Sequence, residues 1–226
     1  MSINLLNPFI KFASAGATVW YGNRGCFFGG ASGGGSTLHN TIDYVSIDTT
    51  GNATDFGDTL SAINHTSSRG ASNATRGIIA GGNTGSKTNA MQYITFASTG
   101  NSTDFGDLNT TVAGMAGCSD ATRGIFAGGD TGSGLSNVID YVTIDTTGNA
   151  TDFGDLTVAR GYFAGFNSDT RGVFAGGSTG SNSNVIDYVT IDTAGNATDF
   201  GDLQQARRNT RGASNTTRGV IAGGCT

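Results

Sequence analysis

The chain has no glutamate, one proline, two lysines and two histidines among its 226 residues. Glutamate and lysine make up much of the exposed surface of ordinary helices, so their scarcity argues against a helical fold. The two histidines, His39 and His65, fall in different loops of one repeat, and no glutamate is present to serve as an acid with a raised pKa. We therefore expect an all-β protein that is not an enzyme and has no cofactor.

Cysteine is also scarce. Cys26, Cys118 and Cys225 make an odd number at unrelated spacings, which argues against a disulfide framework and against a Cys-x-x-Cys metal site. No apolar run approaches the roughly 18 residues of a membrane-spanning helix. The start of the chain has no basic segment, and Lys11 interrupts its apolar stretch, so we interpret it as mature sequence without a signal peptide.

Positive charge is sparse too. The formal net charge is -5, and the closest group of basic residues is Arg207, Arg208 and Arg211. Such a chain lacks the basic surface that binds a phosphate backbone. We predict no nucleic-acid partner and no membrane insertion.

What the chain has in abundance is a glycine-rich repeat. Thr-Arg-Gly, followed by three small or apolar residues and Gly-Gly, occurs four times, with a relaxed fifth copy near the N-terminus. The arginines of these blocks are separated by 52, 47, 48 and 47 residues. A near-constant period of this length is typical of β-propeller blades. The repeated arginines are Arg24, Arg76, Arg123, Arg171 and Arg218.

Each period contains further strand-like blocks. A β-branched run with a central Tyr is followed by a Gly-Asn turn, by Thr-Asp-Phe-Gly-Asp, and by a fourth segment that leads to the next Thr-Arg-Gly. The Gly-Asn pair predicts a tight turn, since both residues accept positive φ angles. The sequence thus predicts four short strands per period.

The order of these blocks resembles the kelch repeat. Arg160, the glycine pair at 176–177, Tyr188, Phe200 and Leu203 follow that family's order of arginine, double glycine, tyrosine, large aromatic and leucine. Phenylalanine stands where kelch blades usually carry tryptophan. The repeats are also similar to kelch-like segments in the virion proteins of tailed phages, cyanophage-like ones among them. The resemblance implies a β-propeller that binds or displays.

We expect one domain over residues 1–226, an all-β, kelch-like β-propeller with five blades of four antiparallel strands. Residues 5–13, within an N-terminal arm or closing strand at 1–16, would supply a strand that the last blade lacks and so close the ring. The repeats run from residue 17 to residue 226. Four blades followed by a half-blade is the alternative.

The residues that recur in every period are interpreted as structural. We expect each Thr-Arg-Gly arginine to pair with an aspartate of an Asp-Phe-Gly-Asp block, each phenylalanine to pack between blades, and the following glycine to allow a bulge. Turn residues such as Asp48 and Asn52 offer oxygens for calcium, but such residues more often cap the backbone, and we predict no metal. The repeated aspartates and phenylalanines are Asp55, Asp104, Asp152, Asp199, Phe56, Phe105, Phe153 and Phe200.

The loops that differ between periods are the candidates for recognition. They follow the Gly-Gly pairs and the Asp-Phe-Gly-Asp blocks, and the alternating strand direction places both sets at the same end of each blade. Loops whose sequence is not constrained by the scaffold often contain the residues that bind a ligand. The predicted ligand-facing residues are His39, Asn83, Lys87, Gln204, Gln205, Arg207 and Arg208.

The resemblance implies a non-enzymatic phage protein at the virion surface, assembled in the host cytoplasm and acting as a tail, capsid-decoration or host-attachment protein. Its implied partners are other virion proteins and a glycan or protein of the host surface. A lectin-like or protein-interaction propeller of a cell is the alternative, and a glycoside hydrolase or oxidase on the same fold is a third. The sequence leaves the ligand, the position in the virion and homo-oligomerisation open.

Overall fold

The computed structural model describes residues 23–64 and 70–226. In this part of the chain, the regular elements are 17 β-strands in five antiparallel sheets and one short 3-10 turn, Gly33–Gly35. The prediction of an all-β protein is confirmed. The predicted closing strand at 5–13, the arm at 1–16 and His65 lie outside the described residues.

Three sheets, numbered 2, 3 and 4 along the chain, each contain four strands in the order in which the chain forms them. This confirms the prediction of four strands per period. Sheet 2 consists of β4 (Gly70–Ser72), β5 (Arg76–Asn83), β6 (Lys87–Thr95) and β7 (Thr103–Asp107). Sheet 3 consists of β8 (Ala116–Ser119), β9 (Arg123–Asp130), β10 (Leu135–Thr143) and β11 (Thr151–Asp155). Sheet 4 consists of β12 (Ala164–Asn167), β13 (Arg171–Ala175), β14 (Val185–Thr190) and β15 (Thr198–Asp202).

The sheets at the two ends have fewer described strands. Sheet 1 contains β1 (Arg24–Ser32), β2 (Thr37–Ser46) and β3 (Thr54–Asp58), which correspond to the last three strands of sheet 2. Sheet 5 contains β16 (Arg211–Ser214) and β17 (Gly219–Ala222), which correspond to its first two. The first strands β4, β8, β12 and β16 contact one another in sequence, so the sheets form a consecutive array. Closure of this array into a five-bladed ring stays a prediction, as does the alternative of four blades and a half-blade.

The Gly-Gly pairs carry the positive φ angles of the repeat. Gly81 and Gly82 have φ angles of 58° and 126°, and the register of β5 with β6 shifts at this point. Such angles are open mainly to glycine, so the pair bends the strand just before its hairpin loop. None of the asparagines in the described Gly-Asn turns has a positive φ. The prediction of positive φ angles is therefore wrong for the asparagine, although Gly100 and Gly148 of these turns have φ angles of 153° and 157°.

Each Thr-Asp-Phe-Gly-Asp strand contains a bulge at its phenylalanine, as predicted. In sheet 3, Ile139 pairs with Gly154 and Asp140 with Asp152, which leaves Phe153 as the extra residue. Gly154 takes a φ of 142°, which a residue with a side chain rarely adopts. The bulge turns the Phe153 ring edge-on to Tyr141, with 5.9 Å between the ring centroids. The same ring pair recurs in the other sheets as Tyr44 with Phe56, Tyr93 with Phe105, and Tyr188 with Phe200.

The hydrophobic core lies between successive sheets. Phe105 of sheet 2 belongs to one buried cluster with Val142 and Ile144 of sheet 3, and Phe153 belongs to another with Ile191 of sheet 4. Burying such a ring is worth roughly 1.5–3 kcal/mol. Packing of the repeated phenylalanines between sheets is thus confirmed for the inner members of the array.

Side chains join the first strands of neighbouring sheets. The Ser119 hydroxyl donates to the Ser72 carbonyl at 2.9 Å and accepts from the Ser72 N–H at 3.0 Å. The Asn167 amide donates to the Ser119 carbonyl at 2.6 Å, and the Ser214 hydroxyl donates to the Asn167 carbonyl at 2.6 Å. These bonds satisfy backbone groups that face a neighbouring sheet, where no backbone ladder forms.

A second connection, which we call the outer joint, links the outer strands. The Gly148 N–H of sheet 3 donates to the Phe105 carbonyl of sheet 2 at 2.7 Å. The Ala150 N–H donates to the Asp107 carbonyl at 2.8 Å. The Asn149 side-chain oxygen accepts from the Asp107 N–H at 3.1 Å. The Gly-Asn turns of sheets 2, 3 and 4 therefore each dock on the outer strand of the sheet before, and the equivalent asparagine bonds are Asn101 with Asp58 and Asn196 with Asp155.

The repeated arginines form a third connection, which differs from the predicted one. The Arg123 guanidinium lies 4.4 Å from the centroid of the Tyr141 ring and donates to the Ile191 carbonyl of the next sheet at 2.8 Å. The predicted pairing with an aspartate of an Asp-Phe-Gly-Asp block is wrong, because Asp104 and Asp152 are exposed and a strand-end carbonyl accepts the hydrogen bond instead. Arg24 and Arg76 bond the Phe96 and Ile144 carbonyls in the same way, Arg171 stacks on Tyr188, and Arg218 is exposed.

The outer joint predicts unequal effects for one substitution at two matched glycines. Gly106 and Gly201 stand in the same Thr-Asp-Phe-Gly-Asp sequence with φ angles of 133° and 132°. A Cβ on Gly106 would overlap the Gly148 backbone, whereas one on Gly201 would meet nothing within 4 Å. Gly106→Ala should therefore lower the free energy of unfolding by about 1–3 kcal/mol more than Gly201→Ala, since the backbone strain is shared and the overlap is not. Denaturant unfolding of dilute protein measures both, and equal losses would contradict the docking.

Candidate ligand-binding face

The hairpin loops and the loops between sheets meet at one end of the array. Isolated β-bridges join Ala113 to Asp130 and Gly161 to Ser178, and each links an inter-sheet loop to the hairpin loop of the next sheet. Bridges at Asn64–Asn83 and Arg208–Cys225 repeat this arrangement at the two ends of the array. The predicted placement of both loop sets at one end is confirmed. We call this end the loop face; it comprises residues 83–87, 109–115, 130–134, 157–162, 178–183 and 204–210.

One residue in each of three inter-sheet loops takes the left-handed backbone conformation. Gly114, Tyr162 and Asn209 have φ angles of 71°, 62° and 57°. The Tyr162 N–H donates to the Gly114 carbonyl at 2.6 Å, and the Asn209 N–H donates to the Tyr162 carbonyl at 2.7 Å. Glycine and asparagine tolerate this conformation, but for tyrosine it is strained. Strained residues of this kind cluster at functional sites, so the surroundings of Tyr162 are a candidate site.

A polar cluster surrounds Tyr162. Its hydroxyl donates to the Asp130 carboxylate at 3.0 Å, and the Lys87 ammonium forms an ion pair with the other oxygen of the same carboxylate. That oxygen also accepts from the Gly132 N–H at 2.8 Å. Lys87 belongs to sheet 2, Asp130 to sheet 3, and Tyr162 to the loop that enters sheet 4. The cluster therefore spans three sheets, and the side chains of Lys87 and Asp130 stay 21% and 28% exposed, within reach of a ligand.

The cluster is charged at neutral pH. Partial burial raises the pKa of Asp130, but hydrogen bonds from Lys87, the Gly132 N–H and Tyr162 outweigh it and hold the pKa below its ordinary value of 3.8. The carboxylate keeps lone pairs for further donors, and the ammonium keeps N–H groups for further acceptors. Together with the phenol ring, the site offers a donor, an acceptor and an aromatic surface.

Lys87 is the predicted ligand-facing residue that belongs to this cluster. Asn83 lies nearby in the same hairpin, but its side-chain oxygen accepts from the Gly85 N–H at 2.9 Å and so shapes its own loop. His39 is exposed on sheet 1, where its ring shares a hydrogen bond of 2.9 Å with the Ser32 hydroxyl.

The other predicted ligand-facing residues lie in the loop between sheets 4 and 5. Gln204 and Gln205 are exposed. The Arg207 N–H donates to the Ser183 carbonyl at 3.0 Å, and its buried Nε has no hydrogen-bond partner within the described part of the chain. Arg208 pairs through its backbone with Cys225. Apart from His39, the predicted set thus lies on the loop face, and the described contacts do not bring its members together into one site.

Sequence reasoning missed Asp130 and Tyr162. Tyr162 stands where the neighbouring loops carry Gly114 and Asn209, so a bulky aromatic in a glycine-type position was the available signal. Asp130 follows a Gly-Gly pair, as Asn83 and Ser178 do in other periods, so a polar residue at this position did not distinguish its period from the others.

A buried ion pair supports the loop that carries Tyr162. Arg160 and Asp187 are fully buried, and the guanidinium donates to the carboxylate at 2.6 Å. The Thr157 hydroxyl donates to the second carboxylate oxygen at 2.5 Å, and Arg160 also donates to the Phe174 carbonyl at 3.2 Å. Burial lowers the pKa of Arg160, and the nearby Asp187 charge opposes the shift. The pair is closed to solvent, so we assign it to positioning the loop.

Asn109 and Asp140 replace this ion pair one period earlier. The Asn109 side chain donates to the Asp140 carboxylate at 2.6 Å, and its N–H donates at 3.1 Å. Burial raises the pKa of Asp140, with the two Asn109 bonds opposing it. In both periods, the aspartate that precedes the repeated tyrosine therefore accepts hydrogen bonds from the inter-sheet loop that comes before its sheet.

The cysteines stay apart. Cys26 and Cys118 are buried and Cys225 is exposed, and all three are free thiols. Burial raises the pKa of the Cys26 thiol to about 11 and shifts the pKa of Cys118 in the same direction. Within residues 23–64 and 70–226, no three His, Cys, Asp or Glu side chains come together as a metal-binding group. Over that same part of the chain, no helix has the length and apolar character to cross a membrane.

No protein-family model matches this chain, and no curated protein does. The assignment of a site to the loop face therefore depends on the residues and geometry described above.

The polar cluster predicts a change in the titration of Asp130. Lys87→Met should raise the pKa of Asp130 towards its ordinary value, because the largest opposing hydrogen bond is removed. The stabilisation from a depressed carboxyl pKa is present above the unfolded value and is lost as the pH falls through the folded value. The variant should therefore lose less stability on acidification than the wild type. Carboxyl NMR titration measures the pKa, and Arg218→Met, which removes an exposed charge elsewhere, should leave it in place.

Proposed function

We propose that this chain is a non-enzymatic binding and display protein, a β-propeller-like scaffold whose loop face recognises a ligand. The observation that carries the proposal is the Lys87–Asp130–Tyr162 cluster, in which a strained tyrosine is held beside an accessible ion pair. Tight connections between the sheets fix the positions of its three members. A preorganised site of this kind binds without the cost of ordering its side chains.

The ligand class that suits the cluster is a carbohydrate. A sugar presents several hydroxyls that both donate and accept, which matches the Asp130 carboxylate and the Lys87 ammonium placed side by side. A tyrosine ring adds flat, rigid contact area at low entropic cost. The exposed side-chain amides of Gln204 and Gln205 on the same face can both donate hydrogen bonds to sugar hydroxyls and accept hydrogen bonds from them.

The proposed setting is the virion of a tailed phage, where the protein acts as a tail, capsid-decoration or host-attachment protein. The support for this setting is the similarity of the Thr-Arg-Gly and Asp-Phe-Gly-Asp repeats to kelch-like segments of phage virion proteins. Its partners would be other virion proteins on one side and a host-surface glycan on the other. A lectin-like propeller of a cell would use the same face, and flanking capsid or tail genes distinguish the two settings.

A glycan array and a host-cell binding assay with loop-face variants test the proposal. Lys87→Ala and Tyr162→Asn should each weaken binding about tenfold or more, the effect of losing one hydrogen bond to a charged group. Asparagine is chosen because Asn209 adopts the same backbone conformation in the next loop, so the fold should be kept. Thr147→Ala, in an exposed turn at the opposite end, is the matched control. Unchanged binding in the loop-face variants, or loss in the control, would refute the assignment of the face.

A further inference from the structure

The outer strand of sheet 4, β15, has the surface on which a Gly-Asn turn docks in sheets 1 to 3, but no turn among the described residues docks on it. Phe200 is 53% exposed, whereas Phe56, Phe105 and Phe153 are each 2% exposed. Gly201 has the backbone conformation of Gly106, but no turn approaches it. Among the described strands, the next sheet along the array contains only β16 and β17, so no described hairpin covers this surface.

The arginine connection is also incomplete at this place. Arg171 lies 4.3 Å from the centroid of the Tyr188 ring, as its equivalents do, but its guanidinium has no carbonyl acceptor among the described residues. A cleft of about 460 Å³ opens beside it, lined by Arg171, Ile186, Phe200 and residues of sheet 5. The surface therefore offers an apolar ring, a guanidinium and free backbone groups together.

At the opposite end of the array, sheet 1 has the complementary half of an outer joint, a Gly-Asn turn that docks on no described strand. Ile47 is 38% exposed, whereas the equivalent Ile144 and Ile191 are fully buried against the preceding sheet. The Gly51 and Asn52 turn that follows Ile47 is exposed and docks on no described residue. Sheet 1 thus carries an undocked Gly-Asn turn, and sheet 4 carries an uncovered Phe-Gly-Asp strand.

The two free surfaces have the sequences of a contact that the chain already makes. Residues 47–58 are identical to residues 144–155, and residues 198–202 are identical to residues 103–107. Residues 144–150 dock on residues 103–107 through the Gly148, Asn149 and Ala150 bonds. The free turn and the free strand are therefore chemically matched, and a second copy of this chain carries the segment that fits.

We propose that copies of this chain associate head to tail, with the free turn of sheet 1 in one copy docked on β15 of the next. By equivalence with the internal joint, the Gly51 N–H would donate to the Phe200 carbonyl, and Asn52 would accept from the Asp202 N–H. The Ile47 side chain would cover the Phe200 ring. The Ile47 carbonyl is the matching acceptor for Arg171, since Ile144 and Ile191 serve Arg76 and Arg123 in this way.

Docking requires β17 to separate from β16. Sheet 1 of the incoming copy would occupy the position of sheet 5, where its β1 corresponds to β17. β17 is largely exposed and, among the described strands, pairs with β16 alone, over four residues. β1 and β17 come from equivalent Arg-Gly blocks of the repeat, so β1 can take the place of β17 beside β16. The contact joins different surfaces of the two copies, and such contacts build open chains or closed rings.

Light scattering over a range of protein concentrations tests the association. The mass of the wild type should rise from 22.8 kDa in steps of one chain as the concentration increases. Ile47→Asp and Phe200→Asp should each remain monomeric, because each places a charge in the contact. Val158→Asp is the matched control, since Val158 is 40% exposed and lies elsewhere; it should associate as the wild type does. Phe200→Ser serves as a milder variant if thermal melting shows that the aspartate disturbs the fold.

A mixture of the two variants separates this arrangement from other causes of association. Ile47→Asp keeps an intact β15 surface, and Phe200→Asp keeps an intact turn, so the mixture should form a 1:1 dimer and nothing larger. A wild type that stays monomeric at every concentration, as it would if the chain's own N-terminal residues or sheet 1 covered Phe200, would overturn the proposal. Association of the single variants, or a mixture that stays monomeric, would overturn it as well. None of these results depends on a ligand for the loop face.

Discussion

The outer joint between a Gly-Asn turn and the Phe-Gly-Asp strand of the preceding sheet is the interaction on which the rest of the fold depends. A four-stranded sheet of short strands cannot bury both of its faces alone, and repeat proteins solve this by stacking each unit on its neighbour. Here the bulge at Phe153 turns a ring towards the next sheet, and Gly154 lets the Gly195 backbone come close enough to cover it. A Cβ at this glycine would separate the two sheets.

The loop face depends on that rigidity. The Lys87–Asp130–Tyr162 cluster draws one residue from each of three successive units, so its geometry exists only while those units stay in register. The buried Arg160–Asp187 pair adds a second restraint directly beneath it. Strain at Tyr162 is sustained by hydrogen bonds to the loops on either side, which is the situation in which a structure holds an unfavourable conformation for use.

Sequence reasoning predicted what is local and missed what depends on a neighbour. The period, the four strands and the bulge glycine follow from patterns within one repeat, and the structure confirms them. The partner of Arg123 does not, because the Ile191 carbonyl comes from the following sheet and carries no side-chain signal. Likewise Asp140 and Asp187 stand in the same Ile-Asp-Tyr sequence, but Asp187 receives Arg160 and Asp140 receives Asn109, because the partner comes from the loop of the sheet before.

Native-state hydrogen exchange on the dilute monomer tests the central claim most directly, because the chain contains its own control. Gly148 and Ala150 lie in a docked copy of the twelve residues 47–58, and Gly51 and Ala53 occupy the same positions in the undocked copy. Identical neighbours give the two pairs the same intrinsic exchange rates. If docking between sheets holds the fold together, the amides of Gly148 and Ala150 exchange far more slowly than those of Gly51 and Ala53. Equal protection of the two pairs would show that the turn is stable by itself and would contradict the account.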